Sequence, residues 1–270
     1  MIAQPRSTQR YVSHKADKDR ALLNEIVALS KENPRYGYRR IWALLRREGC
    51  SVNKKRVHRL WGEAGLKVPA RQRKRRRLGG GGENGCARRR AEHKDHVWSY
   101  DFVMDQTEDG RTVKMMPVVD EYTRECLCIE VERSITAKEV VKTLAALFAH
   151  RGEPAFIRSD NGPEFIAKAV KRWLEVSGVR TLYIEPGSPW QNAYSETFNS
   201  RLRDELLGRE VFADLLEAKV LLEEHRQHYN QERPHSALGY QTPAEFGALC
   251  ELERVDEELR KELESVSALS

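Results

Sequence analysis

The chain of 270 residues lacks any Cys-x-x-Cys pair, and its five cysteines, Cys50, Cys86, Cys126, Cys128 and Cys250, are odd in number. That pattern argues against a disulfide framework and against a zinc ribbon. His93 and His96 form a His-x-x-His pair, but no suitably spaced cysteines follow it, so no zinc site is expected there. No apolar run approaches the roughly 20 residues that span a bilayer. The opening stretch MIAQPRSTQRYV has no apolar core of the kind a signal peptide needs. No internal repeat is present. These absences lead to the expectation of a cytoplasmic, reduced protein with no membrane partner.

What the chain does have is charge, and the charge is divided. Residues 1–94 hold 26 Lys and Arg against 8 Asp and Glu, a net of +18, while residues 95–270 hold 21 against 33, a net of −12. A basic front joined to an acidic back suggests a polyanion-binding module attached to a second unit. Hydrophobic residues make up 40% and charged residues 33%, polar for an enzyme but far from a disordered composition.

Residues 17–65 read as helices. Leu22, Leu23, Ile26, Val27 and Leu29 follow helical spacing up to Asn33-Pro34. YGYRRIWALLRREG is a second helix, with Ile41, Leu44 and Leu45 on one face and Gly49 at its end. NKKRVHRLWGEAG is a third. Asn53 is its N-cap, Val57, Leu60, Trp61 and Ala64 line one side, and Lys54, Lys55, Arg56, His58 and Arg59 cover much of the rest. Two short helices with a tight Gly-containing turn, the second one basic, look like a helix-turn-helix. A plain helical hairpin with snorkelling cations is the bland alternative. Residues 68–94, including RQRKRRRLGGGGENGCARRR, have no periodicity and read as a basic, Gly-rich linker, suited to tracking a phosphate backbone or to serving as a tether.

From residue 95 the texture becomes mixed. HVWSYDFVM, RTVKMMPVVDEYT and ECLCIEVE are three strands in succession. AKEVVKTLAALFAHR is an amphipathic helix, AFIRS a strand, PEFIAKAVKRWLEVSG a helix, RTLYIE a strand and NAYSETFNSRLRDELL a helix. The order predicts an α/β unit with a mixed five-stranded sheet and flanking helices. DLLEAKVLLEEHRQHYN is a further helix, QERPHSALGYQTPAEF is irregular, and ELERVDEELRKELES is a charged helix.

Three carboxylates carry chemistry. Asp101 lies in the first strand, Asp160 ends the fourth, and Glu196 sits in the first turns of the helix after the fifth. In such a sheet the first and fourth strands can be neighbours, and three hard oxygen donors without histidine suit Mg²⁺ or Mn²⁺. Two such ions about 3.5–4 Å apart support phosphodiester chemistry. Each acid also has an ordinary reading. Asp160-Asn161-Gly162-Pro163 makes a good Asx turn before a helix, and acids are favoured near helix N-termini by the macrodipole. At about 100° per residue, Glu196 lies roughly 200° from Phe198. It therefore points away from the packing face of Phe198, Leu202 and Leu206 and shares its side with Asn199, Ser200 and Arg203. Asp105, Glu108, Asp109, Asp120 and Glu121 are read as solvent-facing turn residues.

The spacing, 58 residues between Asp101 and Asp160 and 35 between Asp160 and Glu196, resembles that of the Asp-Asp-Glu transposases and retroviral integrases. Local words bring the chain nearer to the second-frame product of bacterial insertion sequences of the IS-three type. They are YGYRRIWALLRREG, VNKKRVHRLWGEAGL, WSYDF, SDNGPEF, GSPWQNAYSETFNSRLRDE and HYNQERPHSALGYQTPAEF, in that order, over residues 15–247. The resemblance implies an RNase H-like integrase catalytic core at 95–210, after a helix-turn-helix-like region at 1–67 and the linker at 68–94. A C-terminal helical extension and acidic tail would occupy 211–270. It implies that Asp101, Asp160 and Glu196 hold two Mg²⁺ (or Mn²⁺) ions. It further implies cleavage of DNA at the element's ends, strand transfer by 3′-hydroxyl attack, and a basic residue near terminal DNA at Arg203. The implied partners are the element's terminal inverted repeats and target DNA at the nucleoid, further copies of the chain on DNA, and an upstream-frame product. The chain departs from the pattern in that an integrase-type His-His-Cys-Cys domain is absent, the GGGG linker and acidic tail match no family word, and the front of the chain has no heptad zipper, which the family's first frame normally supplies. A hydrolytic nuclease and a DNA-binding regulator with an inactive core are the rival readings.

Overall fold

The computed structural model describes residues 15–68, 89–159, 168–183 and 192–267. They fall into two compact units, one built from 15–68 and one from 89–267.

The first unit is three helices: α1 (Lys15–Glu32), α2 (Tyr38–Arg47) and α3 (Lys54–Glu63). Gly49 closes α2 at φ 85°, and Cys50 N–H reaches back to the Leu45 carbonyl, 2.9 Å away. Glycine carries no steric penalty at that left-handed position. Asn53 caps α3 by accepting Lys55 N–H at 2.8 Å. Leu22, Ile26, Ile41, Leu45, Val57, Leu60 and Trp61 interlock as the core of this unit. The expected apolar faces are therefore the buried ones, except that Ala64 lies exposed at the C-cap.

The second unit centres on one sheet formed by β1 (Val97–Tyr100), β2 (Val103–Gln106), β3 (Thr112–Asp120), β4 (Cys126–Glu132), β5 (Phe156–Ser159) and β6 (Arg180–Tyr183). The run read from sequence as one first strand is broken in two, which gives six strands in five rows. β1 and β2 keep a single register on β3: Trp98 faces Asp120, and Val103, five residues on, faces Met115, five residues back. β4 lies on the other flank of β3, and β5 and β6 continue parallel to β1.

Alternation along the strands separates two apolar layers. Trp98, Tyr100, Met116, Val118 and Ile157 pack beneath α4 (Ala137–Arg151) and α5 (Lys168–Val176). Val103, Val113, Met115 and Val119 pack with α6 (Ala193–Leu202) and α7 (Leu215–Gln231), through Phe198, Leu202, Ala218, Leu222 and Tyr229. Each fully buried side chain of this kind contributes about 1.5–3 kcal/mol.

Three expectations are revised. α7 belongs to the second layer of the core rather than to an extension beyond it. Residues 89–94 of the expected linker pack on the second unit: the Arg89 guanidinium lies 4.1 Å above the Phe156 ring of β5, and Lys94 pairs with Glu251 of the C-terminal helix at 2.8 Å. The C-terminal helix, α8 (Pro243–Ser267), starts earlier than the charged tail suggested. Thr242 and Glu245 exchange side-chain to backbone hydrogen bonds around Pro243, a capping box with proline at the first helical position.

Candidate active site

Asp101 stands in the gap between β1 and β2, and Pro117 explains the gap. Glu121 N–H donates to the Val97 carbonyl, whereas Asp120 N–H turns the other way to Glu125. Odd-numbered residues of β3 thus aim their backbone polar groups at the β1–β2 row. Pro117 is one of them, it lies opposite Asp101 in the shared register, and it has no N–H to offer. The ladder opens there. The Asp101 carboxylate takes up the N–H of Phe102 at 2.8 Å.

By alternation Asp101 faces the α6 layer, as Val103 does. Asn199 on α6 donates its amide to the other carboxylate oxygen at 2.9 Å. Asn199 is buried, while Glu196, one helical turn earlier, is exposed. Residues three apart are neighbours on a helix, so Glu196 lies one turn before the residue that docks on Asp101. Phe198 and Leu202 are wholly buried, as their spacing predicted, and Asn199 lies between them and Glu196 around the helix. After Leu202 the helix widens into one π-helical turn, Arg203–Leu207, with Arg203 exposed at its start. Gly208 closes that turn by donating to the Arg203 carbonyl at 2.8 Å, and a Cβ on Gly208 would come within 2.9 Å of that oxygen.

Asp160 lies outside the described residues, which reach Ser159 at the end of β5. The parallel pairing of β1 with β5 is described: Val97 faces Phe156, Trp98 faces Ile157 and Ser99 faces Arg158, an offset of 59 residues. Among the described residues no three His, Cys, Asp or Glu side chains gather as a metal-binding group.

Two acids assigned to solvent are not there. Asp120 and Glu121 are 0% and 1% exposed. Asp120 accepts from Thr123 N–H at 3.0 Å and from Thr123 Oγ1 at 2.6 Å; burial raises its pKa, and the Thr123 donors oppose the rise. Glu121 takes a hydrogen bond from Arg158 Nε at 2.8 Å, inside the protein. Sequence spacing could not reveal that pair, because 36 residues intervene between its members. Glu108 and Asp109 are exposed and Asp105 is half-buried.

On the first unit, Lys54 and Lys55 are exposed, and Lys54 Nζ lies 5.3 Å from the Trp42 ring. Arg56 and Arg59 both reach Asp19 of α1 at 2.7 Å, and Arg59 also meets Glu63 at 2.9 Å. The hydrogen bond from Arg59, then that from Arg56, lowers the pKa of Asp19. His96 is buried, its Nδ1 takes the Glu92 N–H at 3.0 Å, and its ring packs edge-on to Phe156, so it anchors the segment that enters β1.

The stretch HYNQERPH clamps the core. Asn230 accepts from Cys126 N–H at 2.9 Å and donates to the Cys126 carbonyl at 2.8 Å, standing in for a neighbouring strand where the β3–β4 register shifts. Arg233 holds Glu205 of the π-helical turn through two bonds of 2.6 and 2.7 Å.

Residues 16–75 match the HTH-like domain family, residues 91–189 match an integrase core domain family, and residues 177–243 match a second integrase core domain family. The chain is 40% identical to the insertion element IS407 31.7 kDa protein of Burkholderia multivorans, over 92% of this chain and 88% of that one. It is 27% identical to the transposase InsD of insertion element IS2 of Escherichia coli, over 80% of this chain and 74% of the relative. A simian T-cell lymphotropic virus intasome structure aligns with TM-score 0.50 and 15% identity, over 82% of this chain and 74% of that one, and shares the fold. The second unit is an integrase-type, RNase H-like core preceded by an HTH-like helical unit. The chain belongs to the insertion-element transposase family.

Proposed function

We propose that Asp101, Asp160 and Glu196 together hold two Mg²⁺ (or Mn²⁺) ions and that the protein cleaves DNA at the ends of its element and joins the freed 3′-hydroxyl to a second phosphodiester. The observation that carries this reading is the hydrogen bond that docks Asn199, one helical turn after Glu196, on Asp101. The β1–β5 offset of 59 supports it further, since 59 is also the sequence separation of Asp101 and Asp160.

The residues present fit the metal. The site is made of carboxylate oxygens with an amide donor beside them, a hard donor set that suits Mg²⁺ or Mn²⁺. A bound pair of ions supplies charge stabilisation to the attacking and leaving oxygens of an in-line displacement. The chain's own residues do the rest. Asn199 fixes the rotation of the Asp101 carboxylate, and Pro117 keeps that stretch of backbone out of the ladder. Arg203, exposed on the π-helical turn, meets a DNA phosphate near the reacting end.

Lys54, Lys55, Arg56 and Arg59 form the DNA surface of the helical unit. Asp19 holds the two arginines in one orientation, which reduces the entropy they lose on meeting phosphate. Bringing two element ends together calls for at least two copies of the chain on DNA, acting in the cytoplasm at the nucleoid. An upstream-frame product is a further partner under this reading.

The test uses purified protein, Mg²⁺ and duplexes that carry pre-nicked element ends. Joined products support the reading. Release of hydrolysed ends with no joined product assigns the core to a nuclease instead.

A further inference from the structure

Glu196 makes no hydrogen bond or ion pair of its own among the described residues, so its placement depends on how the first turn of α6 is held. That turn has no side-chain N-cap bond from Asn192. The turn between β3 and β4 touches it. The Arg124 guanidinium lies 3.8 Å over the ring of Tyr194, two residues before Glu196. Arg124 also donates to the Glu121 carbonyl, and Glu121 is the buried partner of Arg158 on β5. Arg158 in turn donates to the Arg89 carbonyl at 2.7 Å.

The turn is built to hold this arrangement. Arg124 sits at φ 67°, a left-handed backbone that a side-chain-bearing residue keeps only where its surroundings enforce it. Its N–H donates to the Asp120 carbonyl at 2.9 Å, and the Asp120 carboxylate is occupied by Thr123. One short turn therefore grips both the strand that leads into Asp160 and the helix that carries Glu196.

We propose that Arg124 is a positioning residue, whose stack on Tyr194 fixes the first turn of α6 and so sets the Glu196 carboxylate relative to the strand end clamped by Glu121 and Arg158. The inference rests on the reading of Glu196 as a metal ligand. A cation over an aromatic face is an apt device here, because it orients without a directional hydrogen bond and tolerates the helix's polar first turn.

The test is Mn²⁺ binding to the DNA-free full-length protein, followed by the electron paramagnetic resonance signal of free Mn²⁺. Arg124→Ala and Tyr194→Leu are each expected to weaken binding about 10-fold, the scale seen when a ligand loses its support. Tyr194→Phe keeps the ring face and is expected to bind more tightly than Tyr194→Leu. The double variant Arg124→Ala/Tyr194→Leu is expected to be no weaker than either single one, because both remove the same interaction. Should Arg124→Ala fail to fold, the Tyr194 pair leaves the β3–β4 turn intact and carries the test. Unchanged affinity in Tyr194→Leu, or effects that multiply in the double variant, overturns the proposal. Glu196→Gln separates the two levels. If it binds Mn²⁺ normally, the ligand reading fails; if it loses binding while Tyr194→Leu does not, only the positioning role of Arg124 fails.

Discussion

Asn199 donates to Asp101 across 2.9 Å, linking a helix to a strand gap that lies 98 residues away in the chain. A hydrogen bond to a charged group contributes about 1.5–3 kcal/mol, and here it also sets the direction of the remaining carboxylate lone pairs. Asn199→Leu is therefore expected to lower strand cleavage about 10- to 100-fold while DNA affinity stays level. Single-turnover cleavage beside a binding titration checks this. An equal drop in both measurements points to general misfolding instead.

Arg233 and Glu205 form a pair that is 2% and 8% exposed. Removing one member leaves a buried charge without its counterion, at a cost of about 3–5 kcal/mol. Arg233→Met is expected to lose stability on that scale in urea unfolding, and Arg233→Met/Glu205→Gln is expected to regain part of it. A double variant as unstable as the single one would assign the effect to the stack of the Arg233 guanidinium on the Tyr229 ring, 5.4 Å away.

Burial pushes the His225 imidazole down to about 4, with nearby Glu205 acting in the opposite direction. The unfolded chain binds that proton near pH 6.5 and the native protein does not, so stability rises with pH across the interval. The His225 contribution is complete above about pH 6.5 and is lost as pH falls toward 4, on the order of 3 kcal/mol in all. His225→Leu is expected to flatten this acid limb in unfolding curves taken from pH 7 to 4. An unaltered pH slope would show that another group controls it.

Neutralising Lys54, Lys55, Arg56 and Arg59 together is expected to weaken DNA binding and flatten its salt dependence. Every phosphate that these side chains no longer neutralise takes about 0.9 from the slope of log affinity against log salt. An unchanged slope would place the DNA surface elsewhere.

How much of this was legible in the sequence varies with the range of the interaction. Helix faces were readable because they repeat locally: Ile41 and Leu45, Val57 and Leu60, and Phe198 and Leu202 are buried as their spacing requires. Asn53 capped α3 as a residue of its type before a helix should. The capping box of Thr242, Pro243 and Glu245 was present in the sequence, and reading its surroundings as irregular placed the start of α8 too late. The break at Asp101 depends on Pro117 in the facing strand, and that pairing exists only once register is fixed. The burial of Glu121 depends on Arg158, which reaches it from another strand. Two acids after an apolar strand look like a turn in any sequence. Here they end β3 and open the turn to β4, and tertiary packing puts both inside the protein.

The claim on which the account stands is that Asp101, Asp160 and Glu196 share a pair of divalent ions. Anomalous diffraction from crystals of the protein grown with Mn²⁺ and DNA ends tests it most directly. Two manganese peaks about 3.5–4 Å apart, held by these three carboxylates, are the expected result. Manganese bound away from these carboxylates, or the three side chains too far apart to share ions in the DNA complex, would contradict it.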